Sequence, residues 1–333
     1  MRQLLKGNSL FLTGTGNVMK GNLKIFAGNC NRELAQSICN HVGVKLGECE
    51  IIKFSNDNIK VRILESVRGK DVYVVQSSST PVNEYVMEML IMIDAIKYAG
   101  ADSITAVLPY YPYVRSDKKD EPRISITARL IADLLQTAGA DRVMTMNLHT
   151  AQIGGFFRIP VDHLLAGRPL CDYYQKAGIE NCVVVAPDAG SAKRAGHYAI
   201  TMGLPLAVLD KRRTDDSEHA VIHHVIGEVK GKRALIFDDE IATGGSILEV
   251  VKALESLGVE EIQACCVHAV LSGKAVERLN SSSLSKLVVT DTVYIPPEKK
   301  MSKMVVISVA ELFAKAITYS HTGTSMSGLF GPI

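Results

Sequence analysis

Between Arg233 and Ser246 the chain reads RALIFDDEIATGGS, and no other stretch constrains the fold as strongly. Ala234 to Phe237 is a short apolar run that ends in Asp238 and Asp239. Thr243, Gly244, Gly245 and Ser246 follow, and ILEVVKALESLG then carries apolar residues at 247, 250, 251, 254 and 257. That order predicts a buried strand, a loop and an amphipathic helix. Gly244 and Gly245 have no Cβ to hold an anion away, so N–H groups at the helix start can face a phosphate. Thr243 and Ser246 add hydroxyl donors. The two aspartates leave the strand just ahead of this cradle, within reach of a sugar's vicinal hydroxyls or a metal ion. Carboxylates for a sugar and amides for its phosphate suit a ribose 5-phosphate unit. A bare TGGS could equally do no more than cap the next helix; two aspartates directly after a buried run favour a ligand.

The same grammar runs through the chain. Strands are expected at KIFAG (24–28), CEIIKF (49–54), DVYVVQ (71–76), ITAVLP (104–109) and RVMTMN (142–147). Helices are expected from Asn31 to His41, over 82–98 between Pro81 and Gly100, and over 125–138. The pattern then restarts. Strands CVVVAP (182–187), PLAVLD (205–210), HHVIGEV (223–229), ALIFDD, IQACCVHAV (262–270) and LVVT (287–290) alternate with helices near 191–202, 247–257 and from 273. This predicts an α/β protein of two similar domains, each a mostly parallel sheet flanked by helices, with a ligand cleft between the strand ends. The expected division is a leader (1–22), an N-terminal domain (23–166), a C-terminal domain (167–308) and a C-terminal helix and tail (309–333) packing back on the first domain.

Length and composition agree with two such domains: 333 residues, 47% hydrophobic and 22% charged. A formal net charge of +2 argues against a nucleic-acid binder. The seven cysteines form no CxxC pair and are odd in number, which suggests a reduced, cytoplasmic setting. LFL at 10–12 is too short for a signal sequence, and MLIMI at 89–93 is followed at once by Asp94, so no membrane segment is expected.

Four further segments carry chemistry. PYYPYVRSDKKDEPR (109–123) sets tyrosines beside Arg115, Asp117, Lys118, Lys119, Asp120 and Arg123 after a strand end, where rings can border a base and cations meet phosphates. A solvated mixed-charge loop is the alternative. In MNLHTAQIGGFF (146–157), His149 stands two residues past a strand and could take a metal ion or a phosphate, or simply be a packed side chain. In VVVAPDAGSAKR (183–194), Asp188 could bind a hard cation or cap the helix that carries Lys193 and Arg194. In DKRRTDDSEHAV (210–221), Lys211, Arg212 and Arg213 are expected on a mobile loop, either a surface charge run or a lid over polyphosphate.

Taken in order with FAGNCNRELA, ESVRGKDVYVVQS, PVNEYVMEMLIMIDA and HTGTSMSGLF, these segments resemble the ribose-phosphate pyrophosphokinase (phosphoribosyl pyrophosphate synthetase) family from about Lys24 to Phe330. The resemblance implies Mg²⁺-dependent transfer of the diphosphoryl group of ATP to the anomeric hydroxyl of ribose 5-phosphate. It also implies a homo-oligomer, usually a hexamer. By motif, Arg115, Ser116, Asp117 and Asp120 would surround ATP; His149 and Asp188 would lie at the Mg²⁺ and the ATP phosphates. Phe54, Asn56 and Asn58 would border the adenine of a neighbouring subunit. Lys211 and Arg213 would be the catalytic cations, with His149 beside the reacting phosphates. Asp238, Asp239 and Ala242, Thr243, Gly244, Gly245 and Ser246 would bind ribose 5-phosphate. Ser66, Arg68, Ser325 and Ser327 match a phosphate and ADP regulatory site.

The chain departs from the family pattern at four positions. The family usually has Asp at the position of Ala242, Asp at that of Asn147, Gln at that of Ser116 and an acidic residue at that of Asn58. These differences bear on nucleotide preference, metal affinity and regulatory class. Two other functions compete: a phosphoribosyltransferase that consumes phosphoribosyl pyrophosphate, and a weakly active regulatory subunit of a synthetase complex.

Overall fold

The computed structural model describes residues 22–212 and 221–329. The expected leader lies outside the described residues apart from Asn22, and so does Arg213. Apolar runs without polar alternation, such as Val72–Val75 and Cys182–Ala186, are buried throughout, as strands sandwiched between helical layers must be.

Two sheets result. The first has five parallel strands in the order β1 (Leu23–Ala27), β4 (Asp71–Val75), β5 (Ser103–Leu108), β6 (Arg142–Met146), β7 (Val161–Leu164). The second has seven, in the order β10 (Val221–Ile226), β9 (Leu206–Arg212), β8 (Cys182–Ala186), β11 (Arg233–Ile241), β12 (Glu261–Ala269), β13 (Lys286–Thr290), β14 (Met304–Ile307). Among the described strands of this second sheet, only β10 runs antiparallel to its neighbour. A separate hairpin pairs β2 (Cys49–Lys53) with β3 (Ile59–Ile63).

The helices are α1 (Arg32–Val42), α2 (Val82–Tyr98), α3 (Thr127–Ala138), α4 (Gly167–Ala177), α5 (Ala192–Met202), α6 (Gly245–Ser256), α7 (Ala275–Asn280) and α8 (Ala310–Thr322). α1 shows how sequence sets an end: the Asn31 side chain accepts the Leu34 amide at 3.3 Å, and Gly43 closes the helix in the left-handed region. One apolar core runs through both sheets, joining Ile25 and Ile38 to Val184, Phe237, Phe313 and Ile317. α8 packs against α1, and His321 Nδ1 lies 2.6 Å from Asp71 Oδ2 at the start of β4.

Four elements were not expected. β3 (IKVRI) alternates polar and apolar residues, the mark of a strand with one solvated face, unlike the continuous runs of the parallel core. β7 and β14 are four-residue strands too short to show a period. α4 begins with a glycine and holds Pro169 in its first turn, so propensity obscures a helix that Leu170, Cys171 and Tyr174 anchor by burial. β9 also outruns its expected end. Lys211 and Arg212 are on this strand, not on a loop, because the antiparallel ladder pairs them with Ile222 and Val221 of β10.

Candidate active site

The acidic pair occupies the sixth and seventh positions of the nine-residue strand β11. That strand keeps its pairing with β12 as far as Ile241, but its pairing with β8 stops at Ile236. Asp238 and Asp239 are therefore still in strand geometry where one flank has opened, beyond the carboxyl end of β8. Into this opening come His149, which follows β6, and Arg194, in the first turn of α5. His149 Nδ1 is 3.0 Å from Asp239 Oδ2. The Arg194 guanidinium reaches Asp239 Oδ1 at 3.3 Å and Oδ2 at 3.2 Å, and Asp238 Oδ1 at 3.4 Å.

Burial and the neighbouring Asp239 charge push the Asp238 carboxyl far above the usual range. For Asp239 burial acts in the same direction, but hydrogen bonds from His149 and Asp238 and the Arg194 charge outweigh it and hold the carboxyl low. The hydrogen bond to Asp239 raises the His149 pKa, against the smaller opposing effect of burial. Glu240, the next residue, is pushed up by burial and accepts the Tyr110 hydroxyl at 3.0 Å.

The glycine turn follows on the same wall. Gly244 has a φ of 75°, in the left-handed region, and no side chain caps α6. The first amides of that helix are thus open to an anion. Arg115, His149, Asp188, Asp238, Asp239 and the segment 240–247 line one hollow of about 300 Å³. Asp188 is exposed there, and its Oδ1 accepts the Ser191 amide at 2.7 Å, which fixes the turn ahead of α5; the N-cap of that helix is Ser191.

Arg115 also borders a second, more open hollow of about 580 Å³ with Tyr110, Tyr113, Asn83 and Ser116. Tyr113 holds a φ of 53°, unusual for a bulky side chain. Ser116 uses its hydroxyl on the loop, accepting the Thr127 amide at 3.1 Å and donating to the Ser125 carbonyl at 3.2 Å. Asp117 accepts the Thr150 hydroxyl at 2.6 Å, which ties this loop to the turn carrying His149.

Known proteins decide the family. The family description "N-terminal domain of ribose phosphate pyrophosphokinase" matches residues 23–139, and "Phosphoribosyl transferase domain" matches residues 165–296. Ribose-phosphate pyrophosphokinase of Caldanaerobacter subterraneus is 50% identical over 309 residues, 92% of this chain and 98% of that protein. The chain belongs to the ribose-phosphate pyrophosphokinase family. The protein of that name from Deinococcus radiodurans is 48% identical over 319 residues, 94% of this chain and 99% of its own length. Phosphoribosylpyrophosphate synthetase of Mycobacterium smegmatis superposes with a TM-score of 0.86 at 41% identity, covering 91% of this chain and 99% of that one. Membership makes the chain an enzyme of the diphosphotransferase class with two phosphoribosyltransferase-like domains.

Of the expected site residues of this pyrophosphokinase family member, the structure gathers Arg115, His149, Asp188, Asp238, Asp239 and 242–246 around one hollow. Phe54, Asn56 and Asn58 form the exposed tip of the β2–β3 hairpin and line neither hollow; the Phe54 amide donates to the Asn58 carbonyl at 2.9 Å. Asp120 is exposed. Ser66, Arg68, Ser325 and Ser327 are exposed, the two last with hydroxyls 2.9 Å apart. Glu240 was missed, although a third consecutive acid in DDE was its signal. The sequence sets Arg194 near Asp188 but not at the aspartates, because nothing in a linear sequence tells which strand the first turn of α5 faces.

Proposed function

We propose that the chain transfers the diphosphoryl group of ATP to the C1 hydroxyl of ribose 5-phosphate, giving phosphoribosyl pyrophosphate and AMP. One observation carries the reading: the acidic pair of β11, the open amino end of α6 and the cation Arg115 share a single hollow. The sugar hydroxyls meet carboxylate acceptors, and the 5-phosphate meets the amides of 243–246 with the hydroxyls of Thr243 and Ser246. Arg115 and His149 face the triphosphate. Lys211, at the far end of β9, and Arg213 supply positive charge to the oxygens that become more negative as the bond to AMP breaks. The chain's own work is positioning and charge stabilisation, without a covalent enzyme intermediate.

Mg²⁺ fits the donors present. Among the described residues no group of three His, Cys, Asp or Glu is arranged to hold a metal. A hard cation that shares its shell with water and substrate phosphates needs only one or two protein donors. Asp188 and His149 would hold it, and it would neutralise phosphate oxygens and orient them for in-line attack. A homohexamer, with Phe54, Asn56 and Asn58 of each hairpin completing a neighbour's adenine site, is consistent with their exposure here. So is a regulatory phosphate or ADP site at Ser66, Arg68, Ser325 and Ser327. We put the domain division at 166/167, between β7 and β8, and a cytoplasmic setting suits the proposed substrates. Among the described residues no helix is long and apolar enough to cross a membrane.

The test is product analysis. Purified protein with ATP, ribose 5-phosphate and Mg²⁺ should yield AMP and phosphoribosyl pyrophosphate in equal amounts. Release of inorganic pyrophosphate on adding a nucleobase and phosphoribosyl pyrophosphate, with no AMP formed from ATP, would reassign the chain to phosphoribosyl transfer.

A further inference from the structure

The acidic pair is not free to turn toward a sugar from any angle. Asp239 Oδ1 and Oδ2 both lie within reach of Arg194, and Oδ2 also faces His149 Nδ1. Asp238 Oδ1 accepts the Asp239 amide at 2.8 Å and faces Arg194 at 3.4 Å. The two side chains also hydrogen-bond to each other, and Asp238 lines the hollow. Arg194 reaches the pair from α5 and is not among the side chains lining the hollow. Its Nε is buried without a partner, an unsatisfied donor that packing alone does not justify. A planar guanidinium can span two carboxylates as no ammonium can.

Resting on the functional reading above, we propose that Arg194 is a positioning residue for ribose 5-phosphate: its guanidinium bridges Asp238 and Asp239 from outside the hollow and leaves the Asp238 carboxyl presented to the sugar. Arg194 touches neither substrate. It sets the angle between the two adjacent carboxyl groups, and it shares Asp239 with His149, so the sugar acceptor and the ring facing the triphosphate are held in one frame. The clamp acts on the sugar first, because Asp238 has no contact with His149 among those described.

Arg194→Gln and Arg194→Lys in the full-length chain test this, read by steady-state kinetics in each substrate and by calorimetric titration of ribose 5-phosphate without nucleotide. Loss of one partner from a hydrogen-bonded charge cluster should raise the KM and Kd for ribose 5-phosphate on the order of 10- to 100-fold in the Gln variant. The KM for ATP should stay within about threefold, and the Lys variant, charged but unable to bridge, should fall between Gln and wild type. Parallel rises in both KM values, or a Lys variant equal to wild type, would overturn the clamp. If the Gln variant does not fold, the Lys variant decides alone. Wild-type protein that binds ribose 5-phosphate but forms no AMP would sink the functional reading instead, while the titration still reports on the clamp.

Discussion

Asn147 stands where the family usually has a carboxylate, two residues before His149. Its side chain is buried, and Oδ1 accepts the Ala166 amide at 2.8 Å, so it secures the turn after β7 and does not face the hollow. An aspartate could accept the same bond. Asn147→Asp should therefore leave the Mg²⁺ concentration for half-maximal activity within about twofold, since a metal ligand is neither gained nor lost. A tenfold drop in activity titrations against Mg²⁺ would put that side chain in the metal's shell after all. Ala242 is similar: its carbonyl accepts the Ser272 amide at 2.9 Å, a backbone role that any side chain permits. Lys211 has a different standing, as a cation carried by a strand whose next residues are a basic run. Lys211→Ala should lower kcat on the order of 10²-fold while the thermal midpoint stays within about 2 °C. Near-normal turnover would remove this residue from the chemistry.

At the scale of elements, the strand, glycine turn and helix from β11 to α6 do most to shape the hollow, and that unit was plain in the sequence because each part has its own signal. The apolar run marks burial, the aspartates its end, the glycines the turn, and the 3.6-residue spacing the helix. What the sequence hid was pairing. That β11 loses β8 at Ile236 yet keeps β12 to Ile241 depends on the length of a strand over 45 residues earlier, and no local pattern around Asp238 reports it. The same holds for β9, carried past Asp210 by its antiparallel partner. Gly244 lends itself to a test at this scale. A Cβ there would meet nothing closer than Leu279 Cγ at 3.6 Å, so the obstacle to alanine is the backbone angle alone. Gly244→Ala should destabilise the fold by about 1–2 kcal/mol in denaturant unfolding and weaken ribose 5-phosphate binding by turning the first amides of α6. If alanine leaves both unchanged, the turn is not what presents those amides.

Across the whole molecule, the two sheets meet at the site itself. Tyr110 reaches Glu240, His149 reaches Asp239, and the Asn31 side-chain amide donates to the Asp291 carbonyl at 2.8 Å. A further buried tie is His268, near the end of β12. Its Nε2 lies 3.2 Å from the Asn147 carbonyl, its Nδ1 lies 2.9 Å from the Thr292 hydroxyl, and its ring packs against Tyr110 with centroids 4.8 Å apart. The contacts suit a neutral ring that donates from Nε2 and accepts at Nδ1. Burial depresses its pKa from 6.5 to about 4. In the unfolded chain the ring protonates as pH falls through 6.5, while in the folded protein it stays neutral until about 4. Between those values the unfolded state binds more protons, so stability falls as pH falls. The contribution is intact above pH 7, is reduced by about 2 kcal/mol at pH 5, and by about 3 kcal/mol once both states are protonated. His268→Gln removes the titration while keeping a polar side chain. The variant should be less stable than wild type at pH 7, and the gap should narrow between pH 7 and pH 5 as the histidine's penalty grows in wild type alone. Thermal or urea unfolding at the two pH values measures this directly, and curves that fall in parallel would mean that the seam between the sheets does not depend on a neutral ring at this position.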